Sequence, residues 1–205
     1  MSKFLLGVDT GMPERIYDML EFRKTAVIRP FEDTGFRELF DAYLRRTKRK
    51  IPDRTRRLRN LREKFRIVVK PDVEQSWWTA ETLEHEIILY RGFFVRRRAR
   101  RVQILAHELV HIVQFLLARK DEEASRPYGG DTLVRTRAYF NDRDEVEPWT
   151  QDFFIDILRR RAQGKLKTES AVVKWLYSST EFRQFYKRNQ SRMIKKILFN
   201  LRGRA

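Results

Sequence analysis

The sequence contains no cysteine, 8 glycines, 6 prolines and only 3 histidines among its 205 residues. The lack of cysteine excludes a disulfide scaffold, a thiolate zinc finger and a cysteine nucleophile. The few glycines and prolines exclude a collagen-like or linker-dominated chain. No stretch approaches the ~20 apolar residues of a membrane-spanning helix, and the N-terminal segment does not have the pattern of a signal peptide. We therefore expect a protein without a membrane span, located in the cytoplasm.

Apolar and basic residues are both abundant. Hydrophobic residues make up 41% of the chain and aromatic residues 13%, which is sufficient for a sizeable core. Lysine and arginine number 45 against 28 aspartates and glutamates, for a net charge of +17. Such an excess attracts polyanions. The segment Arg45–Arg66 alone holds 12 basic and 2 acidic residues.

Hydrophobic periodicity predicts a mostly helical protein with a small sheet. Short β-branched or apolar runs at Arg66–Lys70 and His85–Tyr90 indicate strands. One long helix is predicted over residues 96–118, and a second from about Asp144 to Gln163 with Pro148 in its first turn. Further helices are predicted at residues 14–28, 34–50, within 45–66, and near 168–178, 180–188 and 190–201.

Two of the three histidines lie four residues apart, in His107-Glu108-Leu109-Val110-His111. Residues four apart share one face of a helix, so the two imidazoles can bind one metal ion. Glu108 is turned about 100° around the axis, which suits a general base that acts on water rather than a ligand. Nitrogen and oxygen ligands suit Zn²⁺. The alternative is a pair of hydrogen-bonded core histidines, although polar groups in so apolar a helix are costly to bury unpaired.

A third ligand has to come from another segment. No histidine follows His111, so the ligand must be an acid. Carboxylates cluster where the next helix is predicted to begin, and Glu145 lies 34 residues after His111 with Glu147 close behind. Residues two apart are about 200° apart on a helix, so they cannot both face the metal.

These residues together resemble the zincin metallopeptidases, specifically the glutamate-zincin branch, and are similar to zinc metallopeptidases of phage and bacterial genomes. In that branch, an HExxH helix is followed by a second helix that donates a glutamate. Several of its families write the second element as E-x-E-A, which Glu145-Val146-Glu147-Pro148 resembles except at Pro148. The resemblance covers roughly residues 84–160.

The resemblance implies a role for each matching position. His107 and His111 are the expected zinc ligands and Glu108 the general base, with Glu145 as third ligand and Glu147 as the alternative.

In zincins, the strand before the HExxH helix borders the cleft and pairs with extended peptide substrate. His85–Tyr90 is expected to be that edge strand, which makes His85 a candidate cleft residue, although a strand histidine between two glutamates is more often a solvated surface residue. Tyr139 is a candidate for stabilising the oxyanion.

The expected fold is therefore α+β and mostly helical. A zincin-like core would pack a small sheet on the HExxH helix and add a second, glutamate-bearing helix, with further helices at both ends. We expect an N-terminal basic helical region (1–65), the metallopeptidase core (66–163) and a C-terminal basic helical extension (164–205).

The basic segments suggest a second kind of partner. Contact with the phosphate backbone of nucleic acid, without base readout, would use such charge, as would an acidic protein, although a merely solvated basic surface is the alternative. The candidate contact residues are Arg45, Arg46, Arg49, Arg56, Arg57, Arg96, Arg97 and Arg98.

The sequence thus favours a zinc-dependent endopeptidase acting on protein or peptide substrates. The alternative is a non-catalytic, nucleic-acid-associated or structural particle protein, of the phage-virion type, that retains a zincin scaffold. A peptidase recruited to nucleic acid would combine the two.

Overall fold

The fold of this computed structural model is α+β and mostly helical, with a small mixed four-stranded sheet, as the sequence predicts. It divides into two compact units, Phe4–Ala124 and Ser125–Ala205 together with Met1–Lys3. The predicted division at residues 65 and 163 stays a prediction. The structure describes residues 11–23, 26–47, 51, 53–71, 79–83, 85–117, 139–141 and 143–204.

The first unit contains the sheet and the HExxH helix. The predicted helix over 14–28 ends earlier, because Val27 and Ile28 are β-branched and pair with a strand instead. The elements are α1 (Met12–Arg23), β1 (Val27–Ile28), a 3₁₀ turn (Pro30–Glu32), α2 (Thr34–Thr47), α3 (Arg54–Lys64), β2 (Arg66–Lys70), β3 (Ala80–Leu83), β4 (Glu86–Tyr90), α4 (Arg91–Phe94) and α5 (Arg98–Leu117).

The strand order in the sheet is β1-β2-β4-β3. β4 is parallel to β2, with Ile67 opposite Ile87, and antiparallel to β3. The prediction that His85–Tyr90 forms the edge strand is therefore wrong: β4 is internal and β3 forms the edge. The reason is hydrophobicity, since every residue of β4 from Ile87 to Tyr90 is buried, as expected of a strand covered on both faces.

Helix α5 lies in the core of the first unit. Its residues from Gln103 to Val110 are all buried, and it packs against α1 and β3. The same core contains a cluster of aromatic rings from Phe31, Phe36, Phe40 and Phe65, most of them packed edge to face. The HExxH sequence is thus held on a rigid, apolar helix.

Both ends of α5 are stabilised by charged side chains. Arginines at a helix N-terminus oppose the helix dipole, and carboxylates of α1 offset them: Asp18 pairs with Arg98 and Glu21 with Arg101. At the other end, Arg57 Nη1 of α3 donates to the carbonyl oxygens of residues 115 and 116, at 3.1 and 3.2 Å. A cation at this end complements the dipole.

The described residues of the second unit form helices joined by short turns, and they include a helical turn at 139–141. Pro148 lies inside the first long helix rather than in its first turn, and the predicted helix over 180–188 breaks near Phe185. Aromatic side chains dominate its core, including Phe153, Phe182 and Phe185. The helices are α6 (Arg143–Ala162), α7 (Glu169–Ser178), α8 (Thr180–Gln184) and α9 (Lys187–Arg202).

None of the helices in the described parts of the chain combines the length and the hydrophobicity needed to cross a membrane.

Candidate metal centre

The two histidines of the HExxH sequence lie side by side on α5. The ring centroids of His107 and His111 are 5.2 Å apart, because one helical turn separates them. His107 is 8% exposed and His111 is half-buried. One face of the helix therefore presents two imidazoles together, as the spacing predicts.

Gln114 orients the second imidazole. The Nδ1 atom of His111 lies 2.9 Å from Gln114 Oε1. This contact is a hydrogen bond in the tautomer whose Nδ1 carries the proton, and in that tautomer the Nε2 lone pair is left for a metal ion. Partners of this kind fix the tautomer and ring orientation of metal-binding histidines.

Glu108 is held by a side chain of the edge strand. Thr82 Oγ1 of β3 donates a hydrogen bond to Glu108 Oε2 at 2.6 Å and lies 3.3 Å from the Glu108 carbonyl oxygen. Glu108 is 8% exposed. Its carboxylate is thus fixed in one orientation, with its second oxygen left for another hydrogen bond.

A carboxylate completes a group with the two imidazoles. His107, His111 and Glu145 each offer one ligand atom, and these atoms all lie within 4.8 Å of one another. Glu147, the alternative third ligand, has a different partner: its Oε1 accepts from Lys196 Nζ of α9 at 2.9 Å.

The donor set of this group is of a kind that binds metal ions. Two imidazole nitrogens and one carboxylate oxygen are the ligands of one of the common three-ligand zinc sites, in which the fourth position is left for water or substrate. The chain has no thiolate to favour a closed structural site. The group could therefore hold a metal ion, with Glu108 adjacent in sequence to one of its ligands.

The two candidate cleft residues, His85 and Tyr139, have other surroundings in the structure. His85 is in the turn between β3 and β4, where it lines an open pocket with Asn60 and Glu63 of α3. None of His107, His111 and Glu145 lines that pocket. Tyr139 is half-buried and stacks edge to face on Phe140. Their participation in the chemistry stays a prediction.

Several of the arginines predicted to contact nucleic acid have partners within the first unit. Arg57 caps α5, Arg56 pairs with Asp53 at 2.7 Å, and Arg98 pairs with Asp18. Arg45, Arg46, Arg96 and Arg97 are exposed. Arg49 lies outside the described residues. That any of these arginines binds nucleic acid stays a prediction.

Sequence reasoning missed Thr82 and Gln114. Gln114 had a readable signal, because a residue three positions after His111 lies on the same helix face. Thr82 had none, since its contact with Glu108 joins residues 26 apart in the chain.

Comparisons of this chain with models of known protein families, with curated proteins and with solved structures find no match. The resemblance to glutamate zincins therefore stays a prediction from the sequence.

Proposed function

We propose that this protein is a zinc-dependent endopeptidase. The observation that carries the proposal is the grouping of His107, His111 and Glu145, whose ligand atoms lie within 4.8 Å of one another. When bound, zinc supplies Lewis acidity, which makes water more acidic and polarises a carbonyl oxygen. The group differs from a pair of core histidines in having a carboxylate that closes it.

Glu108 is the general base of the proposed reaction. Its carboxylate removes a proton from the attacking water, whose oxygen forms a bond to the scissile carbonyl carbon. The carbon–nitrogen bond then breaks, and the same carboxyl group delivers the proton to the leaving amine. Thr82 keeps the carboxylate oriented through this cycle.

Strand β3 supports a peptide as the substrate. It forms an edge of the sheet and packs against the helix that carries Glu108. An extended peptide can add to such an edge through main-chain hydrogen bonds. Because Thr82 lies on this strand, a peptide paired there would pass close to the general base.

The test combines metal analysis with cleavage of an unfolded protein substrate. The wild type is expected to hold one zinc ion per chain and to lose cleavage on chelation. His111→Ala and Glu145→Gln are expected to lose zinc. Glu108→Gln should retain it while turnover falls by a factor of about 10²–10⁴.

Glu147→Gln is the matched control, since it removes a neighbouring carboxylate that pairs with Lys196. It should keep both zinc and activity. Full activity in Glu108→Gln would refute the base assignment. A wild type that binds zinc but cleaves no peptide would instead favour the non-catalytic alternative.

A further inference from the structure

The outward face of α9 carries an unbroken stripe of positive charge. The helix contains six lysines and arginines and no acidic residue over its 16 positions. Arg188, Arg192 and Lys195 are exposed. Arg192 and Lys195 follow Arg188 by four and seven residues. The three side chains therefore fall within an arc of about 60° and extend about 10 Å along the helix axis. We define these three residues as the α9 stripe.

The charge of the α9 stripe is not neutralised within the fold. In the described part of the chain, no carboxylate lies within ion-pair distance of the three side chains. Other cations of α9 differ: Lys196 pairs with Glu147 and Arg202 with Glu169. The stripe is therefore a set of cations on one face that is left for an external anion, whereas Lys187, which is also exposed, points about 80–140° away from it.

The first unit offers no equivalent arrangement on its most basic helix. Three exposed cations of α3, Arg54, Arg59 and Lys64, are also without a described acidic partner. Arg54 and Arg59 point about 140° apart, as do Arg59 and Lys64, whereas Arg54 and Lys64 point about 80° apart. They cannot contact one straight array of anions together.

We propose that the α9 stripe binds the phosphate backbone of double-stranded DNA without reading its sequence. A straight helix of 16 residues is about 24 Å long and presents its cations in a line, which matches the regular phosphates of a duplex. The major groove of B-form DNA admits an α-helix, whereas that of A-form RNA is too narrow.

The surroundings of the stripe disfavour other polyanions. Single-stranded nucleic acid is bound on platforms of several aromatic rings, whereas the exposed residues of α9 include no aromatic side chain and its N-cap residue Tyr186 supplies a single exposed ring. An amphipathic helix binds a membrane by inserting its apolar face. Here that face is buried, with Met193, Ile197 and Leu201 at most 2% exposed.

The inference goes beyond the proposed peptidase activity and does not depend on it. Its test is the binding of the full chain to a fluorescent duplex of about 20 base pairs over a range of salt concentrations. One variant replaces Arg188, Arg192 and Lys195 with glutamine. The matched control replaces Arg54, Arg59 and Lys64 in the same way, which changes the net charge by the same amount.

The α9 variant is expected to bind at least about tenfold more weakly than wild type at moderate salt, with a salt dependence shallower by about 2–3 in the log–log slope. The α3 control should change affinity by less than about twofold, because its cations do not act together. Circular dichroism of both variants should match the wild type, since all six side chains are exposed.

Equal losses in the two variants would overturn the assignment to α9, as would no loss in either or no duplex binding by the wild type. Equal affinity for an RNA duplex or for single-stranded DNA would overturn the choice of B-form DNA. An acidic polypeptide added at the same concentration of negative charge should not displace the duplex. If it does, nucleic acid is not the specific partner of the stripe.

Discussion

At the scale of single residues, the candidate site is defined by hydrogen bonds that orient its side chains. Thr82 holds the Glu108 carboxylate at 2.6 Å, and Gln114 holds the His111 ring at 2.9 Å. In both cases an uncharged side chain orients a group, the Glu108 carboxylate or the His111 ring, that has a role in the proposed reaction. A site built from long side chains requires such support, because small displacements lower catalytic rates strongly.

Thr82 provides a test of this orientation. Thr82→Val preserves side-chain shape and β-branching but removes the donor to Glu108. Hydrogen bonds to charged groups contribute about 1.5–3 kcal/mol, so kcat should fall by about ten- to a hundredfold. KM and zinc content should not change, because neither depends on the Thr82 hydroxyl.

Thr82→Ser retains the hydroxyl and is expected to restore most of kcat in the same peptide-cleavage assay. If the serine and valine variants lose activity equally, the hydroxyl does not position Glu108.

At the scale of elements, the HExxH helix depends on its neighbours for its ends. Arg57 of α3 donates to two carbonyl oxygens at the C-terminus of α5, where the helix has no further amide donors of its own. The contact also ties α3 to the end of the helix that presents His111. Arg57 therefore has a structural role, although it belongs to a very basic segment of the chain.

Arg57→Met removes the guanidinium but keeps an apolar stem, and it should lower the free energy of unfolding by about 1–2 kcal/mol. Urea denaturation at neutral pH measures this change. Arg59→Met on the same helix is the control, because Arg59 is exposed. Equal stability of the two variants would show that the cap contributes nothing.

The sheet contains a group that links its stability to pH. Burial raises the pKa of Tyr90 above its ordinary value, and the hydrogen bond to Glu81 on the neighbouring strand adds to the effect. The folded state therefore binds this proton more tightly than the unfolded state. Stability is complete below the unfolded pKa of about 10 and falls as the pH rises beyond it, by up to about 1.4 kcal/mol per pH unit.

Tyr90→Phe should reduce the slope of unfolding free energy against pH by the contribution of one proton. Urea unfolding between about pH 9 and pH 11.5 measures this slope. Tyr177→Phe is the control, because Tyr177 is 46% exposed whereas Tyr90 is 6% exposed. Identical slopes for the wild type and Tyr90→Phe would contradict a tyrosine proton retained by the fold.

At the scale of the whole molecule, metal binding should be linked to folding. A ligand that binds only the folded state stabilises it by about 4 kcal/mol when present at a thousand times its dissociation constant. Zinc should therefore raise the thermal unfolding midpoint of the wild type. His111→Ala should lose this increase, because one of the three ligands is missing. An equal zinc effect in the variant would place the metal elsewhere on the chain.

The net charge of +17 also acts on the whole molecule. Many of the basic side chains are paired, such as Arg15 with Asp33 and Arg62 with Asp41. The total charge therefore overstates what is available to a partner, and the positions of the remaining cations decide where one can bind. This is why the α9 stripe, rather than the denser charge of α3, is the proposed surface.

Local patterns in the sequence are sufficient to predict the helical α+β class, strand β2 and the position of His107 and His111 on one helix face. Each of these follows from local periodicity, which a chain keeps in most surroundings. The sequence also identified Glu145 and Glu147 as candidate ligands, because an HExxH helix needs an acid from another segment when no further histidine exists.

Three features depend on how the elements pack: the strand at the edge of the sheet next to α5, the residue that contacts Glu108, and the cations of α9 that have no acidic partner among the described residues. Strand order depends on which elements can be buried on both faces, and the contact between Thr82 and Glu108 depends on how β3 packs on α5. Such contacts join residues far apart in the chain, so no local pattern encodes them. They arise when the elements pack, and the chemistry proposed for this protein depends on them.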